Sequence, residues 1–387
     1  MNVLKIILAV ILTAIAVLML LFTVGTVFPA LPAFGSVAGF VTVAFIHLWL
    51  PLSIVFFLGF LLLSVWDRTR TKLYLADLAM VSVTLVITAV IAIVISGSVK
   101  RFGVSGDLFP SKADVSSVIT QTEVYTTSEL GDVELNIYYA DDGVKGKPVV
   151  LYFHGGGWIF GDKDNKAYYS KVFAKNGYVV FSADYDLSSE DRHLATSTET
   201  QLLEAVAWVG NHAAYYGGDI SRFYLTGGSA GGNLALEVAY KINAGVYKTS
   251  SDGTELPLVD AVSVTFPAAS VEDVYRNDDL ILGSTAHRMA AAYTGCSPEE
   301  DPALYESIDP VCSVTSLAPP TLLFLGEGDT LVPPGATFEL AELLSRQRVP
   351  CRLIAVPFGN HMLEMAEGGM LCNAYLETTM RWFDIYR

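Results

Sequence analysis

The sequence predicts an α/β domain, a mainly parallel sheet with helices on both faces, preceded by three transmembrane helices. Three observations do so. Charge is scarce in the first quarter of the chain, that quarter is filled by apolar runs of membrane length, and beyond residue 117 short apolar runs alternate with helical patterns. The 387 residues carry 24 Lys and Arg against 40 Asp and Glu, a net charge of −16. Residues 1–99 hold six charged side chains, Lys5, Asp67, Arg68, Arg70, Lys72 and Asp77, so the remaining 288 residues hold 58 of the 64. The net charge divides as +2 and −18. An acidic part of that size repels phosphate backbones, which excludes nucleic-acid binding by bulk charge.

No charged residue occurs from Ile6 to Trp66. A bilayer core of about 30 Å takes roughly 20 apolar residues in helical form. That places spans at about 6–28, 37–66 and 78–99, making residues 1–99 a membrane region. Two prolines and a glycine within Phe28–Ser36 end the first span, and Pro51 is a candidate kink in the second. The first apolar stretch exceeds a signal-peptide h-region, which favours a retained span. Arg68, Arg70 and Lys72 put the loop between spans two and three in the cytoplasm, and the C-terminal domain on the extracytoplasmic side. Lys100 and Arg101 oppose that orientation. Asp77 is expected at the membrane rim, paired with the Arg68–Lys72 loop.

A Gly/Ser/Asp-rich connector follows at 100–117, and the α/β domain at 118–387. Glu123–Thr127 and Val133–Tyr139 read as a hairpin turning at Gly131-Asp132. Pro148–Phe153 is a continuous apolar run, as expected of a strand buried on both faces. Tyr178–Ser182, Phe223–Leu225, Leu258–Thr265, Thr321–Leu325 and Cys351–Val356 are further strand candidates. Helical patterns lie around Lys166–Lys175, Thr200–Tyr215, Gly231–Ile242 and Ala336–Arg346. Residues 268–319 break the rhythm as a small insertion, expected to shape a substrate pocket around Met289–Tyr293. Cys296, Cys312, Cys351 and Cys372 allow two disulfides or four thiols, and their spacing suggests no metal site.

Three motifs carry chemistry. Gly227-Gly228-Ser229-Ala230-Gly231-Gly232 lies between a strand and a helix, where a nucleophilic serine on a sharp turn needs small neighbours. A lone G-x-S-x-G arises by chance in about 0.2 of chains this long, so context must decide. His154-Gly155-Gly156-Gly157-Trp158 supplies it. Consecutive glycines let backbone N–H groups approach a developing oxyanion. A nucleotide site fits poorly, lacking G-x-G-x-x-G spacing. Of six histidines, only His361 follows an apolar strand in a loop able to return a base to the top of the sheet. Asp329 is the best acid to hold its tautomer, with Glu327 the competitor in the same loop. His154 reads as support for the glycine loop.

These motifs, with Asp184-Tyr185 and Tyr216-Gly217-Gly218-Asp219, resemble the hormone-sensitive-lipase-like carboxylesterases of the α/β-hydrolase superfamily, from about Val115 onward. The resemblance implies Ser229 as nucleophile, His361 as general base and Asp329 as orienting acid. Backbone N–H groups of Gly156, Gly157 and Ala230 become the oxyanion donors, with His154 and Gly155 supporting them. It implies no metal or organic cofactor, and a small-molecule or lipid ester as substrate. Many relatives carry Asp where Gly228 stands. The expectation is therefore a membrane-anchored serine esterase working through an acyl-enzyme. The alternatives are an amidase or peptidase with the same triad, or an inactive hydrolase fold serving as a binding domain. Every motif residue lies beyond position 150, so residues 1–99 read as an anchor outside the chemistry.

Overall fold

The computed structural model describes residues 2–29, 31, 34–66, 71–277 and 284–387. The turn residues Ala30, Pro32 and Ala33, the orientation-setting Arg68 and Arg70, and residues 278–283 of the expected insertion lie outside the described residues. By packing, the chain forms two compact units. One gathers Met1–Lys112 with Gly326–Thr330 and Val356–Ala374; the other holds Ala113–Leu325, Leu331–Ala355 and Tyr375–Arg387.

In the first unit, α1 (Asn2–Val27), α2 (Gly35–Ala44), α3 (Ile46–Trp66) and α4 (Thr71–Lys100) follow one another. Three of them, over Val3–Val27, Ile46–Trp66 and Lys72–Lys100, are long and apolar enough to cross a membrane. The expected second span at 37–66 is not one helix. It breaks at Phe45, whose carbonyl accepts from both Leu48 and Trp49 N–H and so starts α3 afresh. Pro51 lies inside α3 and does not end it. Packing sets the break: a Cβ on Gly25 would lie 2.7 Å from Ala38 Cβ, and Ala38 O accepts from Thr26 Oγ1 at 3.1 Å. Small residues here bring α2 close against α1, which an apolar pattern does not encode. Trp49 Nε1–H donates to Thr23 Oγ1 at 3.1 Å, tying α3 to α1. Asp77, expected to pair with the Arg68–Lys72 loop, has a described partner on α1. It is buried, and accepts from Thr13 Oγ1 of α1 at 2.9 Å, because α4 begins seven residues before the apolar run does.

The second unit is built on an eight-stranded sheet in the order β1-β2-β4-β3-β5-β6-β7-β8. The strands are β1 (Val118–Ser128), β2 (Gly131–Ala140), β3 (Lys147–Phe153), β4 (Val179–Ala183), β5 (Gly218–Gly228), β6 (Ala261–Thr265), β7 (Thr321–Gly326) and β8 (Cys351–Val356). β1 and β2 pair antiparallel, as do β2 and β4; from β4 through β3, β5 and β6 to β7 the pairing is parallel. The hairpin turns at Glu129-Leu130 and not at Gly131-Asp132, since Ser128 already pairs with Gly131. Five consecutive residues of β3, Val149–Phe153, are buried, the mark of a strand covered on both faces. The helices α5 (Ala167–Lys175), α6 (Ala195–His212) and α7 (Ala230–Asn243) alternate with the central strands. The stretch from 268 to 319 forms three short helices among the described residues, α8 (Val271–Arg276), α9 (Thr285–Thr294) and α10 (Pro302–Ile308). α11 (Gly335–Arg346) precedes β8, and α12 (Met370–Ile385), which the sequence reading did not place, closes the chain. No disulfide forms among the described residues.

Candidate active site

Ser229 sits where β5 becomes α7, with φ 56° and ψ −125°. A serine adopts this left-handed backbone only when its surroundings enforce it. Its N–H donates to Thr265 O at 3.0 Å, and its carbonyl accepts from Asn233 N–H at 3.0 Å and Ala268 N–H at 3.2 Å. The neighbouring glycines are steric necessities. A Cβ on Gly231 would lie 2.1 Å from Phe153 O, and one on Gly227 would lie 2.3 Å from Gly231 O. Ser229 is half-buried, while Ala230, first residue of α7, is buried.

The glycine loop that follows β3 lies against this turn. A Cβ on Gly155 would be 2.7 Å from Gly228 O and 3.3 Å from Ser229 Cβ. Gly156 and Gly157 have φ of 136° and 58°, open to glycine and strained for any other residue. Gly156 O accepts from Ile159 and Phe160 N–H, and among the described residues neither Gly156 nor Gly157 donates its own N–H to a carbonyl. His154 supports the loop from beneath. It is fully buried, its Nδ1–H donates to Gly155 O at 2.9 Å, and its ring stacks on Tyr185 at 4.2 Å between centroids. Tyr185 O–H donates to His154 O at 2.9 Å. Burial holds the imidazole below its ordinary pKa, which keeps it neutral.

In the first unit the loops after β7 and β8 interlock. Glu327 N–H donates to Val356 O at 3.0 Å, Gly328 N–H to Gly359 O at 2.8 Å, and a Cβ on Gly326 would lie 2.4 Å from the Gly359 carbonyl carbon. Asp329 and His361 are thereby brought together: His361 Nδ1–H donates to Asp329 Oδ2 at 2.7 Å, with both side chains buried. Glu327, the competing acid, is exposed. The hydrogen bond leaves His361 with Nε2 as its basic nitrogen.

Other histidines are tied to the backbone. His193 donates to Ala292 O, His212 to Trp208 O and His287 to Tyr275 O. Two residues expected at a pocket behave differently. Met289 covers Gly157, its Sδ standing 2.3 Å from where a Cβ would be, and borders a cavity of about 430 Å³ with Ile159, Ser188, Ser189, Glu190 and Arg288. Tyr293 is instead buried in the core, stacked on Trp158 at 4.7 Å. Tyr185 was visible in the sequence only as part of a motif, because stacking under His154 leaves no local signal.

The BD-FAE family matches residues 135–344, more than half of the chain. The chain belongs to the BD-FAE family. The part matched in this BD-FAE member runs from β2 into α11 and contains the glycine loop, Ser229 and Asp329. It is a hormone-sensitive-lipase-like member of the α/β-hydrolase superfamily. Carboxylesterase NlhH of Mycobacterium tuberculosis is 36% identical over 111 residues, 28% of this chain and 34% of the relative. Versiconal hemiacetal acetate esterase of Dothistroma septosporum is 34% identical over 145 residues, 36% of this chain and 41% of the relative. The chain thus spans well under two thirds of the length of these curated relatives. Among solved structures, a bacterial heroin esterase superimposes with a TM-score of 0.60 at 20% identity, covering 71% of this chain and 86% of that one. This BD-FAE chain therefore shares the esterase fold, with its apolar helices added before it.

Proposed function

We propose that the protein is a membrane-anchored serine carboxylesterase that cleaves small-molecule or lipid esters through an acyl-enzyme. The observation that carries the reading is the strained Ser229 turn pressed on the Gly155–Gly157 loop. In the proposed reaction Ser229 Oγ attacks the ester carbonyl, and His361 Nε2 takes its proton and returns it to the leaving alcohol. Asp329 holds the imidazole in the required tautomer and stabilises the imidazolium. The N–H groups of Gly156, Gly157 and Ala230 receive the oxyanion, where one donor is typically worth about 2.7–4 kcal/mol of barrier. Water then repeats the sequence on the acyl-enzyme, and no step calls for a metal or organic cofactor. The relatives with printed activities act on esters, which supports ester over amide cleavage. The proposed organisation is a membrane region at 1–99, a connector at 100–117 and a catalytic domain at 118–387 on the extracytoplasmic side. Full-length protein should label with a fluorophosphonate and turn over p-nitrophenyl esters, and Ser229→Ala should lose both. Undiminished labelling of the variant rejects Ser229, and turnover of anilides alone reassigns the enzyme as an amidase.

A further inference from the structure

Asn360 precedes His361, is buried, and uses one oxygen twice. Its Oδ1 accepts from His361 N–H at 2.7 Å and from Thr330 N–H at 3.3 Å, so a single atom ties the residue after Asp329 to His361. Its Nδ2 is buried with no hydrogen-bond partner among the described residues. That amide lies against α2. A Cβ on Gly39 would stand 3.3 Å from both Asn360 Cβ and Nδ2, tighter than ordinary van der Waals contact. The acid loop rests on the same region, since a Cβ on Gly328 would lie 3.4 Å from Pro29 Cγ, between α1 and α2. Further along the base segment, a Cβ on Gly369 would meet the His47 ring of α3 at 3.2 Å, and Glu367 pairs with Lys112.

We propose that the membrane region positions the acid–base pair: Gly39 of α2 backs Asn360, and Asn360 sets the register of His361 on Asp329. Gly39 and Asn360 act through those two residues and are positioning residues. The inference rests on the esterase reading for its kinetic consequences and on the Asp329–His361 hydrogen bond for its structural one. A side chain at Gly39 pushes Asn360 toward the two loops, loosens the bond, and leaves the imidazolium less stabilised. The proton transfer then starts from a misplaced imidazole, so kcat falls while substrate binding is spared.

The test compares Gly39→Leu with Gly59→Leu in full-length protein in lipid nanodiscs. Gly59, on α3, has nothing within 4 Å of a Cβ and serves as the control for a leucine added to a membrane helix. Gly39→Leu should lower kcat per fluorophosphonate-titrated site by about tenfold or more, with KM within about twofold, since small misplacements of a catalytic group cost that much. Gly59→Leu should match wild type in both. Equal behaviour of the two variants overturns the proposal. If Gly39→Leu does not insert, Gly39→Ala decides in a cycle with Asn360→Gly, which removes both the Cβ and the amide that it meets: its kcat cost should disappear in that background, and equal costs in both backgrounds overturn the proposal. The low-field proton signal of the His361 Nδ1–H is read alongside, and needs no turnover. It should shift in Gly39→Leu and not in Gly59→Leu, and an unmoved signal counts against the proposal even on an inactive protein. A wild type without ester turnover rejects the esterase reading alone.

Discussion

Asp329 and Glu327 stand two residues apart in one loop, and their surroundings separate them. Asp329 is buried on His361 Nδ1, while Glu327 faces solvent. Asp329→Asn should therefore lower kcat by about 10⁴, the loss seen when a triad imidazole takes the wrong tautomer, with Glu327→Gln near wild type. A larger loss for Glu327→Gln would reverse the assignment. These residues, like Ser229 and the glycines, were legible because the chemistry demands particular residue types at adjacent positions. Asp309 was not. It accepts from Ser270 Oγ at 2.7 Å and from Val271 N–H, and burial raises its pKa to about 6 against those hydrogen bonds. A folded-state pKa above the ordinary 3.8 means that the folded chain binds the extra proton. This contribution to stability is full below about pH 4 and is lost as pH rises through about 6, a swing on the order of 3 kcal/mol. The unfolding midpoint should fall between about pH 4 and 6, and Asp309→Asn should flatten that fall; an unchanged slope in the variant would rule out Asp309 as its source.

At the scale of elements, the junction of β3, β5 and α7 depends on atoms that are absent. Because a Cβ on Gly231 would sit 2.1 Å from the Phe153 carbonyl oxygen, Gly231→Ala must lift α7 off β3. We expect a loss of about 3 kcal/mol or more, read as a lowered unfolding midpoint together with lost fluorophosphonate labelling. Asn233, one turn along α7, donates through Nδ2 to Ile308 O at 2.9 Å and ties α10 to the nucleophile helix. Asn233→Ala should cost about 1–3 kcal/mol by leaving that buried carbonyl unmatched, and a midpoint within error of wild type would show the tie to be idle. The parallel strands were legible as apolar runs bounded by turn residues, and β8 falls on the expected Cys351–Val356. The helices α8, α9 and α10 were not, at six, ten and seven residues too short for helical periodicity to emerge. The break at Phe45 escaped for another reason: residues 37–66 carry no charge, and the close seating of Ala38 on Gly25 across α1 and α2 leaves no trace in an apolar pattern.

For the molecule as a whole, the charge division falls where the last long apolar helix, α4, ends at Lys100, and the proposed role of Gly39 departs from the view of residues 1–99 as an anchor alone. A chain beginning at Ala113 reads from sequence as a self-sufficient enzyme. It would lack Pro29 and Gly39, on which the Asp329 and His361 loops rest. Its kcat/KM on p-nitrophenyl acetate should be at least about tenfold below that of the full-length protein, and a value within a few-fold would restore the view of a detachable anchor. The contact was illegible because its partners are 321 positions apart (360 − 39). That separation also orders events in time. Chains are made and folded from the N-terminus, so α1 to α4 emerge long before the ribosome reaches Asn360. The surface beside Gly39 stays uncovered until Asn360 is joined, and a chain stalled before His361 lacks its proposed base. In the proposed enzyme, the arrival of this late segment is thus the moment at which α2 acquires its neighbour and His361 joins Asp329.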